Sequence, residues 1–92
     1  MESDARVKEN IADIPSALKT VGALRGVSYV KKTTKRPEYG LIAQEVERIL
    51  PSLVSARDDT TRGINYLGIV ALLVEAVKEL SSEIEDIKKQ RG

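Results

Sequence analysis

From Tyr66 to Ile87 the apolar residues return at intervals of four and three: Tyr66, Val70, Leu73, Val77, Leu80, Ile84 and Ile87. This spacing winds one narrow seam along a helix, with Val70, Val77 and Ile84 at a positions of a heptad and Tyr66, Leu73, Leu80 and Ile87 at d. The helix is expected to follow a short extended piece, Ile64-Asn65-Tyr66, and to run to about Gln90. Glu83 at g reaches Lys88 at e of a parallel neighbour, which fixes register more than it adds energy. Valine at a with leucine at d favours two strands, whereas isoleucine at both Ile84 and Ile87 favours three or more, so the seam leaves the oligomer number open. Three heptads are too few to hold by themselves. A helix of this kind can also lay its stripe on its own domain, and periodicity does not choose between the two.

At 92 residues and 10.1 kDa the chain is long enough for one domain and one core. Three tyrosines, with no Phe and no Trp, leave that core to Ile, Leu, Val and Ala. Aromatic residues carry much of the burial in a small domain, so a core this lean favours association. The formal net charge of +1 directs no strong field at nucleic acid or an anionic membrane. The longest apolar run, Ile69 to Val74, is far too short to span a bilayer, and the start Met1-Glu2-Ser3-Asp4 lacks a basic-then-apolar signal region. No membrane partner is expected.

The remaining segments divide into an arm, residues 1–13, and a small α+β part, residues 14–63, ahead of the coiled-coil helix at 64–90. The arm is polar, with isolated apolar positions at Val7 and Ile11. Ile14, Leu18, Val21 and Leu24 recur at helical spacing, Pro15 suits a first turn and Gly26 a stop. Gly26 to Lys32 alternates as a strand does, and Glu38 to Ile42 can pair back on it across Lys31-Lys32-Thr33-Thr34-Lys35-Arg36-Pro37. Ala43 to Leu50 places Val46, Ile49 and Leu50 on one side of a second helix, which Pro51 interrupts by removing a backbone donor. Asp58-Asp59-Thr60-Thr61-Arg62-Gly63 reads as a turn-rich linker. The fold class expected is α+β, mainly helical, with a short hairpin and small helices packed at the base of the long C-terminal helix.

The chain has no histidine and no cysteine. Histidine-based triads, thiolate nucleophiles and zinc sites of the usual kinds are therefore excluded, and acid–base work falls to Lys, Asp, Glu or Tyr. Asp58-Asp59 lacks the glycine and terminal glutamate of a calcium loop, and no glycine-rich phosphate cradle is present, so neither a metal nor a cofactor is expected. Lys31, Lys32, Lys35 and Arg36 beside Tyr29 and Tyr39 form a basic hairpin tip, which is ordinarily just solvated; no nucleic-acid partner is expected. Gln44 and Glu45 stand at a strand-to-helix junction, where such residues usually cap or face solvent.

Ser with a Lys base is the remaining common way to activate a hydroxyl, and Ser3-Asp4-Ala5-Arg6-Val7-Lys8 contains such a pair. Five residues turn roughly 140° round an α-helix, and an odd separation faces opposite sides of a strand, so Ser3 and Lys8 meet only across a bend. A lysine accepts a proton near neutrality only when apolar burial or a neighbouring cation, here Arg6, lowers its pKa from about 10.4. Spacing alone equally describes a solvated arm in which neither residue acts.

Three blocks carry a resemblance: Ser3 to Ile11; Tyr39-Gly40-Leu41-Ile42-Ala43-Gln44-Glu45-Val46 with Pro51 and Val54; and Ile64-Asn65-Tyr66 with Leu72 to Leu80. In order and spacing they resemble the peptidase S74 family, the C-terminal intramolecular chaperone domains of phage tail spikes, endosialidases and neck appendages. Similar self-processing domains occur in membrane-bound transcription factors.

The resemblance implies a parallel homotrimer whose client is its own upstream fibre or spike polypeptide, brought into register and then released. It implies a self-cleaving serine endopeptidase with Ser3 as nucleophile and Lys8 as general base. The scissile bond is then Glu2–Ser3, and Asp4 is a candidate to orient the pair. A non-catalytic trimerisation module that stays attached is the alternative. The resemblance further implies work in the host cytoplasm during virion assembly, with the cleaved fragment absent from the mature particle. Members often carry a histidine shortly before the Gly-x-Ile-Ala-Gln-Glu stretch, where this chain has Glu38-Tyr39. Only Met1 and Glu2 precede Ser3, so the sequence reads as a released domain or as one cut just ahead of the cleavage point.

Overall fold

No glycine or proline interrupts residues 69–91, so nothing in that stretch breaks a helical ladder. In the computed structural model, which describes residues 2–56 and 61–91, it lies in one helix. The order of elements is α1 (Ala17–Gly22), β1 (Val27–Val30), β2 (Pro37–Gly40), α2 (Ala43–Ile49), β3 (Val54–Ala56), β4 (Arg62–Ile64) and α3 (Tyr66–Arg91). Turns of 3-10 helix occupy Ala5–Val7 and Pro51–Leu53.

Two faces of α3 have different fates. Ile69, Leu72 and Ala76 are buried against the rest of the chain, where Ala17 of α1 meets Leu72 and Ala76, and Leu18, Val21, Leu24 and Leu50 close round them. At 100° per residue, the heptad stripe lies roughly 90° round the helix from that face. It stays open: Val70, Leu73, Val77, Leu80, Ile84 and Ile87 are between 42% and 63% exposed. The stripe is therefore not laid on the chain's own domain, and the intramolecular packing uses the neighbouring face. From Leu80 onward every described helical residue is exposed. The helix projects beyond the folded part, in keeping with overall extents of 54 × 35 × 23 Å.

α1 begins at Ala17, three residues later than the apolar spacing from Ile14 predicts. Ser16 takes a left-handed conformation (φ 53°, ψ 37°) and its hydroxyl caps nothing. The capping acceptor comes from α3, where Glu79 Oε2 receives the Ala17 N–H at 2.6 Å and the Leu18 N–H at 3.4 Å. The expected first hairpin forms, with Val27 opposite Gly40 and Val30 opposite Pro37. α2 ends at Ile49, and Pro51 opens a 3-10 turn as its missing N–H requires.

A second hairpin pairs β3 with β4, Val54 opposite Ile64 and Ala56 opposite Arg62. It corrects the linker expected at 58–63, because Arg62 and Gly63 belong to a strand; Asp58, Asp59 and Thr60 lie outside the described residues. Backbone bonds from Asn65 N–H to Leu53 C=O and from Ile69 N–H to Asn65 C=O lead this hairpin into α3. Asn65 Oδ1 accepts the Gly68 N–H at 3.0 Å and satisfies an orphan donor of the first turn. A Cβ on Gly68 would come within 2.6 Å of Leu53 Cδ2, which shows how closely α3 approaches the 3-10 turn. Among the described residues no helix is long and apolar enough to cross a membrane.

Candidate functional site

The arm that carries the candidate residues is ordered locally and exposed along residues 2–13. Asp4 caps the turn at Ala5–Val7: its Oδ1 accepts the Arg6 N–H at 2.8 Å, and its two oxygens accept from Arg6 Nε and Nη2, the shortest at 2.7 Å. Those hydrogen bonds hold the Asp4 carboxyl below the usual carboxylate range and raise the Arg6 guanidinium. Asp4 is engaged with Arg6 and makes no described hydrogen bond to Ser3 or Lys8, and the Arg6 charge is directed onto Asp4.

The turn supplies the bend that five-residue spacing demands. Across it Lys8 Nζ donates to the carbonyl oxygen of Ser3 at 3.4 Å, so the amine stands beside the candidate nucleophile's own residue. Every residue from 2 to 13 is exposed, Val7 and Ile11 among them at 58% and 72%. The single chain therefore gives Lys8 no apolar cover.

At the near end of α3 the chain forms a second polar locus that sequence spacing does not reveal. Tyr66 Oη accepts the Leu41 N–H at 3.1 Å and ties the end of β2 to the start of α3. Gly40 makes that approach possible, since a Cβ there would lie 2.9 Å from Tyr66 Oη. Tyr29 donates its hydroxyl to Glu38 at 2.8 Å, an interaction that raises the Tyr29 phenol. Beside them opens a cleft of about 830 Å³ between the two hairpins and the starts of α2 and α3. Tyr29, Lys31, Gln44, Arg62 and Asn65 line it. They come from three separate stretches of chain, so no single motif could have flagged the cleft.

Of the junction pair, Gln44 faces this cleft, whereas Glu45 binds Arg25 through Nη2 at 2.6 Å and Nε at 3.2 Å. That contact, 20 residues apart in sequence, fastens the loop after α1 to α2 and holds the Glu45 carboxyl below its usual value. Lys88 pairs within its own helix with Glu85 at 3.7 Å, and Glu83 is exposed. Among the described residues no group of acidic side chains is placed to hold a metal ion.

The sequence profile of the peptidase S74 family, described as chaperone of endosialidase, matches residues 3–55. The chain belongs to the peptidase S74 family. The matched span runs from Ser3 through the arm, the first hairpin and α2 into β3. Over 98% of its length this S74 chain is 33% identical to long tail fiber protein Gp37 of Salmonella phage S16, of which it spans 14%. It is 34% identical over 98% of its length to the Gp37 of Enterobacteria phage K3, spanning 8% of that protein. Against the Gp37 of Enterobacteria phage M1 the figures are 32%, 96% and 39%. The S74 chain thus corresponds to a minor part of each of these fibre proteins.

Proposed function

We propose that this S74 domain is an assembly chaperone of a phage tail fibre that trimerises through α3, registers the fibre chain preceding it and then releases itself before Ser3. The observation that carries the proposal is the open stripe from Val70 to Ile87, six residues of heptad spacing left largely exposed by a domain that packs the adjacent face of the same helix. Burying exposed apolar side chains at about 25 cal/mol per Å² is the available driving force for bringing three chains together. The Gp37 similarity supports a fibre chain as client and virion assembly as the setting.

For release, Ser3 Oγ attacks the Glu2 carbonyl carbon while its proton passes to Lys8 Nζ, which acts as the base. The Glu2–Ser3 C–N bond breaks, the freed Ser3 amine takes the proton, and an ester joins Glu2 to Ser3 Oγ. Water hydrolyses that ester to a Glu2 carboxylate and restores the Ser3 hydroxyl. Lys8 beside the Ser3 carbonyl at 3.4 Å puts base and nucleophile on one turn, and α3 supplies the assembly that would bury them. Release thereby waits for assembly.

The fibre segment preceding the domain, produced with and without residues 3–92, tests the chaperone role. Soluble trimeric fibre only when the domain is encoded is the expected result; equal yield of trimer without it contradicts the proposal. The exposure of Lys8 and its bond to a carbonyl favour one other reading, a trimerisation module that never cuts and stays attached.

A further inference from the structure

The cleft between the two hairpins and the arm are each incomplete, in complementary ways. Lys31, just past β1, and Arg62, on β4, line the cleft; Arg62 is held only at 3.7 Å by Glu47. Ile64 and Ile42 add apolar wall, and Tyr29, Gln44 and Asn65 add polar groups. At about 830 Å³ the cleft falls in the range of about 300–1,000 Å³ that binds ligands in clefts. The arm is acidic where the cleft is basic: Glu2 and Asp4 flank Ser3, and with Asp4 bound to Arg6, Glu2 is the one of these two that is in no ion pair among the described residues. Val7 and Ile11 of the arm are apolar and uncovered. Within one chain none of residues 2–13 lines the cleft.

We propose that the cleft receives the Glu2–Asp4 segment of a second copy of this chain, so that the cleavage site is completed between protomers. This rests on the reading that Glu2–Ser3 is the bond cut. Lys31 and Arg62 pair with the Glu2 carboxylate, and Ile64 and Ile42 cover the backbone that follows. The cleft is a positioning device for the scissile segment, and it excludes water from Ser3 and Lys8 only when another protomer is present.

The test uses the full chain behind its native upstream fibre sequence, in three forms: unaltered, Ser3→Ala, and Lys31→Glu with Arg62→Glu. The double variant is expected to sediment as the same oligomer as the unaltered chain and to cleave at least about tenfold more slowly, as losing buried charge pairs requires. Mixed oligomers of the double variant with Ser3→Ala, which keeps an intact cleft, are expected to regain cleavage. Unchanged cleavage by the double variant, or no recovery on mixing, overturns the proposal. A second measurement is independent of activity: the chain has no cysteine, so Glu2→Cys with Arg62→Cys is expected to form disulfides between chains under mild oxidation. Their absence in an assembled oligomer also overturns the proposal. Failure of the underlying reading looks different, since the unaltered chain would then stay whole while the disulfides still report docking.

Discussion

The Ala17 N–H donates to Glu79 Oε2 across 2.6 Å, joining residues 62 positions apart. A helix of six residues beginning at a left-handed serine has no cap of its own, and this carboxylate, aided by the positive end of the α1 dipole, provides one. The bond also helps set where α1 sits along α3, and so which face of α3 is buried and which is left uncovered.

Glu79→Ala is expected to lower stability by about 1–2 kcal/mol, the cost of losing an N-cap acceptor. Glu79→Gln keeps an acceptor oxygen and should lose less. Urea unfolding followed by circular dichroism measures both, and equal stability of Glu79→Ala and the unaltered chain would remove Glu79 from this role.

Substitutions on the two faces of α3 should part company. Leu72→Ala, on the buried face, is expected to cost about 2–5 kcal/mol of folding stability. Val77→Lys or Ile84→Lys, at positions 63% and 45% exposed, should leave the fold of the single chain intact and abolish association. Sedimentation velocity beside thermal melts separates the outcomes. A lysine variant that still assembles would place the interface elsewhere.

At Gly40 a methyl group would displace Tyr66, whose hydroxyl lies 2.9 Å from that position. Gly40→Ala is expected to destabilise by about 1–3 kcal/mol through overpacking. Tyr66→Phe, which only removes the acceptor for Leu41 N–H, should cost about 0.5–1.5 kcal/mol. Protection of the Leu41 amide from hydrogen exchange should fall in both.

The Arg25–Glu45 contact has a pH signature. Hydrogen bonds from Arg25, and then its charge, lower the Glu45 carboxyl from 4.5 in the folded chain. A group whose folded value is depressed contributes stability above its unfolded value and loses it as pH falls through the folded one. The contribution is thus present above about pH 4.5 and lost below, and Arg25→Met should return the Glu45 titration towards 4.5. Carboxyl carbon chemical shifts followed by NMR give both curves.

What sequence spacing revealed, and what it did not, follows from the range of the interactions. α2 and its stop at Pro51, the first hairpin and the length of α3 rest on local periodicity and proline chemistry, and they were legible. The hairpin of β3 and β4 was not, because Val54-Ser55-Ala56 and Arg62-Gly63-Ile64 are too short and too polar to show a strand period. Glu79 could not be found from sequence, since a cap supplied from 62 residues away has no local signal. The apolar run from Ile69 to Val74 did hold a clue: it is wider than a seam needs, and Ile69 and Leu72 use the excess to pack on the rest of the chain. At the candidate site, the Ser3–Lys8 spacing called for a bend and the chain has one, whereas the engagement of Asp4 with Arg6 depends on side-chain geometry that spacing does not encode.

Intact mass of the domain expressed behind its native upstream sequence, compared among the unaltered chain, Ser3→Ala and Lys8→Ala, tests the central claim most directly. A fragment beginning at Ser3 in the unaltered chain alone is the predicted result. If all three remain whole while sedimenting as trimers, the domain is an attached register-setting module, and the assignment of Ser3 and Lys8 is wrong.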